Sequence, residues 1–454
     1  MTNRFAGLIT FKKLIWFMFA VAMVNIYPQQ QGGKVVLTLE DAIKTAKHEN
    51  YDIQLASLNV QKSQAQIDEA YAGAFPKLDF SGNYTRNLKL PVLFIAPNTP
   101  FNPGPTTETF SIGADNSYNL GVSLSQTIYD PRLGTAISIA KKYSKYSDYA
   151  GQATEDDVVD QVKRAFYTAM LAKKLVEVNQ AGYDVAKANL DNTEALYKQG
   201  VSSEYDYLRA QVQLANVEPA LIEAKNNLVM AKNSLKNLLG YSLDTELDII
   251  GEFKVEQVNP DVLAKSDEIL KEKNPTIQSL GLQQSILEEN IDIEKAAYLP
   301  TLSAFGNYAW QAQDNTFKFG DYIWAKTLSV GLSLTYTLFD GFKRGAKIQQ
   351  AEIDAKSLEV TKTKTEEGLR IALRQSKLKM EEALDRIKAQ EKSIEQAEKA
   401  LKIAQSRYKN GVGTQLEILD TQNSLTQTRV NYEKAIYDYL IAKSDWEKLL
   451  GISE

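Results

Sequence analysis

The 454-residue chain has no cysteine and one histidine, His48. No disulfide can form, no N-terminal cysteine can carry a lipid, and the usual thiolate and imidazole ligands of zinc are missing. Six methionines make no metal-rich tract. His48 stands in a polar helical stretch and reads as solvent-exposed. Phosphate loops, nucleophile elbows and paired metal-binding motifs are also missing. The chain therefore offers no catalytic residue, cofactor site or metal site and reads as a non-enzyme. Charge of one sign is lacking too. With 52 basic against 57 acidic residues the net charge is -5, and no basic tract supplies the electrostatic footprint of nucleic-acid binding.

Long apolar runs are scarce. One extends from Leu14 to Val24, behind Arg4, Lys12 and Lys13 and ending in Ala20-Val21-Ala22. Residues 1–29 thus read as a secretory signal peptide and the start of the mature chain. No later stretch approaches the roughly 18 uninterrupted apolar residues of a spanning helix. Any passage through a membrane must be made by strands.

What is present comes twice. Tyr197-Lys198-Gln199-Gly200-Val201 returns as Tyr408-Lys409-Asn410-Gly411-Val412, and Leu238-Leu239-Gly240 as Leu449-Leu450-Gly451, both displaced by 211 positions. Gly121 to Asp130 matches Gly331 to Asp340 at 210, and Gly82-Asn83-Tyr84 matches Gly306-Asn307-Tyr308 at 224. Such a period far exceeds the roughly 20 to 50 residues of solenoid repeats, so the halves are expected to be pseudo-equivalent parts of one body.

Each half predicts the same order of elements. Thr38 to Asp41 offers a capping box opening a helix that runs to about Gly73, with a counterpart from about Lys265 to Ala297. Pro76 and Pro300 stop both, and strands follow. Leu328, Val330, Leu332, Leu334, Tyr336 and Leu338 alternate with small polar residues, as do Tyr118, Leu120, Val122, Leu124 and Ile128. That period of two marks strands with one apolar face. Weaker partners at Leu78 to Thr85 and Leu302 to Tyr308 complete β-hairpins over 77–130 and 301–340. The first connection, rich in proline, is expected to be an irregular loop, about 14 residues longer than the second. Asp130 and Asp340 then suit helix openings.

Long helical hairpins follow, over 131–240 and 341–450. Ile387, Gln390, Ile394, Ala397, Leu401, Ala404 and Tyr408 step by three and four, the spacing of coiled-coil packing. In the returning arms, Ile418, Leu425, Tyr432, Tyr439 and Trp446 recur every seven residues, as do Tyr207, Leu214, Leu221, Leu228 and Leu235. Pro219, where the second half has Val430, is expected to kink its helix. The first repeat therefore spans 37–240 and the second 265–454. Residues 241–264 form a mixed inter-repeat segment with a short strand expected at Leu247 to Ile250.

Strands of about ten residues with one apolar face fit a transmembrane barrel, although soluble sheets alternate in the same way. Four strands cannot close at bilayer scale, and an open edge is not tolerated in lipid, so several chains must contribute. The long hairpins alone would also permit a periplasmic coiled-coil adaptor or scaffold.

The motifs taken in order are more specific. Leu299-Pro300 with Gly306 to Tyr308, Thr337-Leu338-Phe339-Asp340, the turn Tyr408 to Thr414 with Leu419-Asp420, and the terminal Leu449-Leu450-Gly451, each with its first-half partner, resemble the TolC-like outer-membrane efflux proteins over Leu37 to Ser453. The resemblance implies a mostly helical homotrimer. Three chains of four strands would close a twelve-strand β-barrel in outer-membrane lipid, above a helical tunnel through the periplasm. Its function would be that of a passive exit duct for a tripartite efflux or type I secretion system. It also implies a periplasmic adaptor and an inner-membrane pump as partners. The turns Gly200-Val201-Ser202 and Gly411-Val412-Gly413 would be the adaptor-contacting tips. Glu417 and Asp420, with first-half equivalents Asp206 and Arg209, would form the periplasmic gate. Arg209 would pair with an acid of a neighbouring hairpin, and Tyr197 and Tyr408 would pack in the seams.

Overall fold

The computed structural model describes residues 35–251 and 253–452. The expected signal segment, residues 1–29, lies outside them. Val35–Leu37 form β1, a strand the sequence reading missed. The capping box at Thr38 is present, with the Asp41 amide donating to Thr38 Oγ1 at 3.1 Å and the Thr38 amide to Asp41 Oδ2 at 3.2 Å. It opens α1 (Leu39–Glu49).

The expected single helix to Gly73 is in fact two. Asn50 is extended, and its Oδ1 accepts from the Asp52 amide at 2.8 Å to cap α2 (Tyr51–Ala72). The counterpart is broken in the same way. The expected second helix from Lys265 divides into α6 (Ser266–Lys273) and α7 (Pro275–Ala296), preceded by α5 (Pro260–Ala264). Pro275 drives Asn274 out of the helical region, and Asn274 Oδ1 accepts from Ile277 N at 3.1 Å.

Each break is tied to the end of its own repeat. Asn50 Nδ2 donates to Leu238 O at 2.9 Å and Asn274 Nδ2 to Leu449 O at 3.0 Å. Those carbonyls close α4 (Glu204–Leu238) and α9 (Gln415–Leu450). The asparagine side chain therefore satisfies an orphan amide of one helix and an orphan carbonyl of another. Gly240 and Gly451 follow with φ of 70° and 64°. A Cβ at Gly451 would lie 2.8 Å from Lys273 O, and one at Gly240 3.1 Å from Glu49 O.

Four strands form one antiparallel sheet in the order β2 (Lys77–Arg86), β5 (Asn116–Tyr129), β7 (Thr301–Asp314) and β8 (Ala325–Thr335). Three corrections arise here. The proline-rich connection is not irregular throughout, because it carries a ribbon of β3 (Val92–Ile95) and β4 (Glu108–Ser111). The last strand ends at Thr335, short of the expected Asp340. Asp340 also lies ahead of the helix that it was expected to cap. The cap position of α8 (Lys343–Lys409) is Phe342, in the left-handed region, and Asp340 Oδ2 accepts from the Arg344 amide at 3.1 Å. Asp130 does cap α3 (Pro131–Lys198), accepting from the Arg132 amide at 2.9 Å. The Arg132 guanidinium beside Asp130 holds its carboxyl below the usual carboxylate range.

α3 and α8, of 68 and 67 residues, each extend about 100 Å. α4 runs unbroken through Pro219. The seam residues lie where the heptads place them: Leu221 and Leu235, and Ile418, Leu425, Tyr439 and Trp446, are buried. Side by side, α4 packs on α3, α3 on α9 and α9 on α8, while nearer the sheet the order is α2, α3, α7, α8. Two apolar cores lie near mid-length. One joins α1, α3 and the end of α4 to β1 and β6 (Leu247–Ile249), which pair in parallel. The other joins α6, α7, α8 and α9.

Candidate functional site: a lipid-facing sheet and a paired helical tip

Strand register sorts the sheet into two faces. Phe80, Val122, Tyr308 and Leu328 stand in one cross-strand row, and Asp79, Ser123, Asn307 and Ser329 in the next, pointing the other way. The apolar face is uncovered. Phe80 is 71% exposed, Leu328 72% and Val330 79%. A contiguous apolar surface of this kind marks an interaction with lipid or protein.

Aromatic rings flank the aliphatic band. Tyr118 gathers Tyr84, Phe319 and Tyr322 at 4.9, 5.4 and 5.3 Å between centroids. At the other end Phe339 meets Phe342 at 5.5 Å, and Arg344 stands 4.4 Å from the ring centre of Tyr298. From Trp324 to Tyr336 the rise is about 40 Å along the strand, or roughly 30 Å across a bilayer at barrel tilt. Aromatic girdles at that spacing match a membrane-crossing band. Among the described residues both edges of the sheet, along β2 and β8, are unpaired.

At the far end, the two helical turns are built alike. Gly200 and Gly411 share a φ of 73°. The Val201 amide donates to Leu196 O at 2.9 Å and the Val412 amide to Arg407 O at 3.0 Å. This is the left-handed C-terminal cap that favours glycine. Ser203 and Thr414 then cap the returning helices through the amides of Asp206 and Glu417. The turns face each other across a cleft of about 760 Å³ lined by Leu196, Val201, Ser202, Asp206, Tyr408, Gly411 and Gly413. Asn189 Nδ2 and Ser202 Oγ, which border it, are buried without a partner among the described residues.

The four expected gate residues fall near these turns in different settings. Glu417 Oε2 accepts from Arg407 Nε at 3.2 Å, and Arg407 Nη2 also donates to Val412 O at 3.1 Å, binding the helix to its own turn. Sequence reading missed Arg407, although Leu196 in its place in the first half was a visible signal. Asp420 is exposed. Asp206 accepts from Ser203 Oγ at 2.8 Å. Arg209 lies 5.4 Å from the ring centre of Tyr205, and among the described residues it makes no ion pair with an acid of the other hairpin. Gly413 is required by packing, since a Cβ there would come within 2.8 Å of Arg407 Cβ and 2.9 Å of Tyr408 N. Tyr408 joins the seam of Leu401, Ala404, Ile418 and Leu425, whereas Tyr197 stacks on Tyr207 at 5.4 Å.

A sheet with one lipid-compatible face and two open edges, feeding into about 100 Å of helical hairpin, defines a subunit of a membrane-crossing channel. The chain belongs to the outer membrane efflux protein family, whose profile matches residues 42–241 and 268–452. It is 22% identical to outer membrane protein TolC of Vibrio cholerae serotype O1, covering 73% of this chain and 76% of that protein. It is 24% identical to the alkaline protease secretion protein AprF of Pseudomonas aeruginosa, covering 92% and 86%. Among solved structures it is similar to the Campylobacter jejuni CmeC outer membrane channel, with a TM-score of 0.75, 18% identity and coverage of 91% and 86%. The protein is an outer-membrane protein whose helical part extends into the periplasm. Its family consists of channel proteins.

Proposed function

We propose that three copies of this chain close into a passive exit duct through the outer membrane, for efflux or type I secretion. An inner-membrane pump supplies the energy and a periplasmic adaptor meets the tips. The carrying observation is that the molecule is open at the same two sides in every layer. The sheet ends at β2 and β8, the upper helices at α2 and α8, and the lower helices at α4 and α8.

Strand direction alternates across the sheet, so β8 of one copy meets β2 of the next in antiparallel fashion, as barrel closure requires. The upper helical edges match as well. Tyr51, Leu55 and Leu58 of α2 and Val360 and Ile371 of α8 are exposed. Counting from the contacts Ser63–Ser144, Ser138–Glu289 and Lys347–Glu294, Leu58 and Val360 stand at about the same height. Burying each such side chain contributes roughly 1.5–3 kcal/mol. A soluble adaptor would have no use for an exposed apolar sheet.

The repeats 37–240 and 265–454 each supply one hairpin of the barrel and one of the tunnel. Glu417 and Asp420, repeated three times, place carboxylates around the axis and favour cations; Arg407 partly neutralises this field. Asp206 and Arg209 line the adjoining arm. The turns Gly200-Val201-Ser202 and Gly411-Val412-Gly413, with the unpaired polar atoms of Asn189 and Ser202 between them, suit an adaptor tip that brings its own hydrogen-bonding groups.

The test is to purify the protein from outer membranes in mild detergent and insert it in planar bilayers. Heat-resistant trimers with discrete conductance are expected. A monomer in the soluble periplasmic fraction would sink the reading.

A further inference from the structure

The first outer connection holds an ordered ribbon that the duct has not yet used. It continues the β2–β5 hairpin: Asn87 N donates to Asp115 O at 2.7 Å and Ile112 N to Pro91 O at 2.9 Å. Its proline-rich tip is pinned from inside. Asn102, fully buried, donates through Nδ2 to Ile95 O at 3.0 Å and Thr106 O at 2.8 Å, and accepts from the Gly104 amide at 3.1 Å. Cross-strand register sets Leu93 and Phe110 on one face and Phe94 on the other. Both faces are open, with Phe110 62% and Phe94 70% exposed. A two-stranded ribbon with apolar residues on both faces is marginal by itself in water.

The connection between β7 and β8, residues 315–324, leans away from its own edge strand. Asn315 Oδ1 accepts from the Asp115 amide at 2.8 Å, and Phe319 and Tyr322 pack on Tyr118 of β5. The outer end of β8 is left uncovered, while Ile323 on this loop is 89% exposed. In a closed ring, the strand that comes beside β8 is β2 of the next copy, and the ribbon rises from that β2.

The geometry points to a contact between copies at the outer mouth, in which the β3–β4 ribbon of one chain packs by one face against loop 315–324 of its neighbour. It rests on the ring reading above. The partner is a second copy because the ribbon is continuous with the edge that closes the barrel. Three such contacts lock the hairpins around the mouth, and they account for the extra length of the first connection.

The chain has no cysteine, so paired substitutions report contacts directly. Phe94→Cys with Ile323→Cys, and Phe110→Cys with Ile323→Cys, are oxidised in outer membranes and run on denaturing gels after heating. One pair is expected to give covalent dimers and trimers and the other only monomer, because a packed ribbon uses one face. Single variants are expected to stay monomeric after heating. Cross-linking by neither pair, by both equally, or by Phe94→Cys or Phe110→Cys alone would overturn the proposal; in the last case the ribbons meet each other. Unheated samples separate the two ideas. Intact trimers without cross-links leave the duct standing and point to lipid or solvent around the ribbon. No trimer in any lane defeats the ring itself and the contact with it.

Discussion

The two repeats place helices of nearly equal length, α3 and α8, in opposite surroundings. α3 is interior, with α2 and α4 on one side and α7 and α9 on the other, while among the described residues α8 is an edge packed on one side by α7 and α9. One pair of equivalent positions, 211 apart, shows the result. Asp160 on α3 is buried and accepts from Ser444 Oγ at 2.6 Å and Arg164 Nε at 2.8 Å. Its counterpart Ile371 on α8 is 56% exposed. Polar inside and apolar outside reverses the ordinary distribution for a soluble protein. In the proposed ring, the contact that the second repeat makes on the first within a chain is made on the second repeat by the next chain's first.

The strongest way to break the comparison is at the joints where each repeat closes. Gly451→Ala forces a Cβ against a carbonyl in left-handed backbone and is expected to cost roughly 3–4 kcal/mol, against roughly 2 for Gly240→Ala, where the approach is looser. Urea midpoints of the detergent-solubilised protein read both. Equal losses would show that the joints are not distinguished by packing.

Next comes the interior and edge pair itself. Asp160→Ala leaves the buried Ser444 hydroxyl without its acceptor and takes one of two carboxylates from Arg164, which keeps Asp445, and should cost roughly 2–3 kcal/mol. Ile371→Asp should leave the monomer's helical circular dichroism intact and abolish heat-resistant trimers. Trimers surviving Ile371→Asp would mean that this side chain stays wet.

A smaller effect is expected at Asp156, whose carboxyl is raised to about 6 by burial and by Glu155 beside it. A group that holds its proton better when folded favours the fold at low pH, and that contribution is lost as pH rises from about 4 to about 6. Asp156→Asn should therefore stabilise by about 2 kcal/mol at pH 7 and by almost nothing below pH 4. Melting temperatures across pH decide this, and a gain independent of pH would remove ionisation as the cause.

The smallest change in stability, under about 1 kcal/mol for an exposed pair, should follow Arg407→Ala. Freed of its counter-ion, Glu417 should raise cation selectivity, read as a larger reversal potential in a salt gradient. An unchanged potential would place Glu417 away from the conducting path.

Much of the fold was legible because its signals are local and repeated. The period of two in Leu328 to Leu334, the heptads through Leu235 and Trp446, and the paired glycines of the turns each require only near neighbours in sequence. The missed features are those in which a distant residue decides. Asn50 breaks its helix with the help of the carbonyl at Leu238, which no local window contains, whereas at Asn274 the adjacent Pro275 was a readable local stop. Strand β1 is an edge residue run given meaning by β6, more than 200 positions away. The order of site residues along the chain was readable, but their pairings were not. Arg407 holds Glu417 ten positions on because the turn folds it back, and Arg209 lies over the ring of Tyr205 one turn before it.

The sequence by itself determined the duplication, the two-faced strands, the long hairpins and, having no cysteine, the absence of disulfides, since composition and period are properties of the chain alone. The tertiary structure decided which repeat lies inside and which at the edge. That choice depends on what packs beside each helix: α7 and α9 of the second repeat pack on α3 as well as on α8, so α3, which already carries α2 and α4, is covered on two sides and α8 on one.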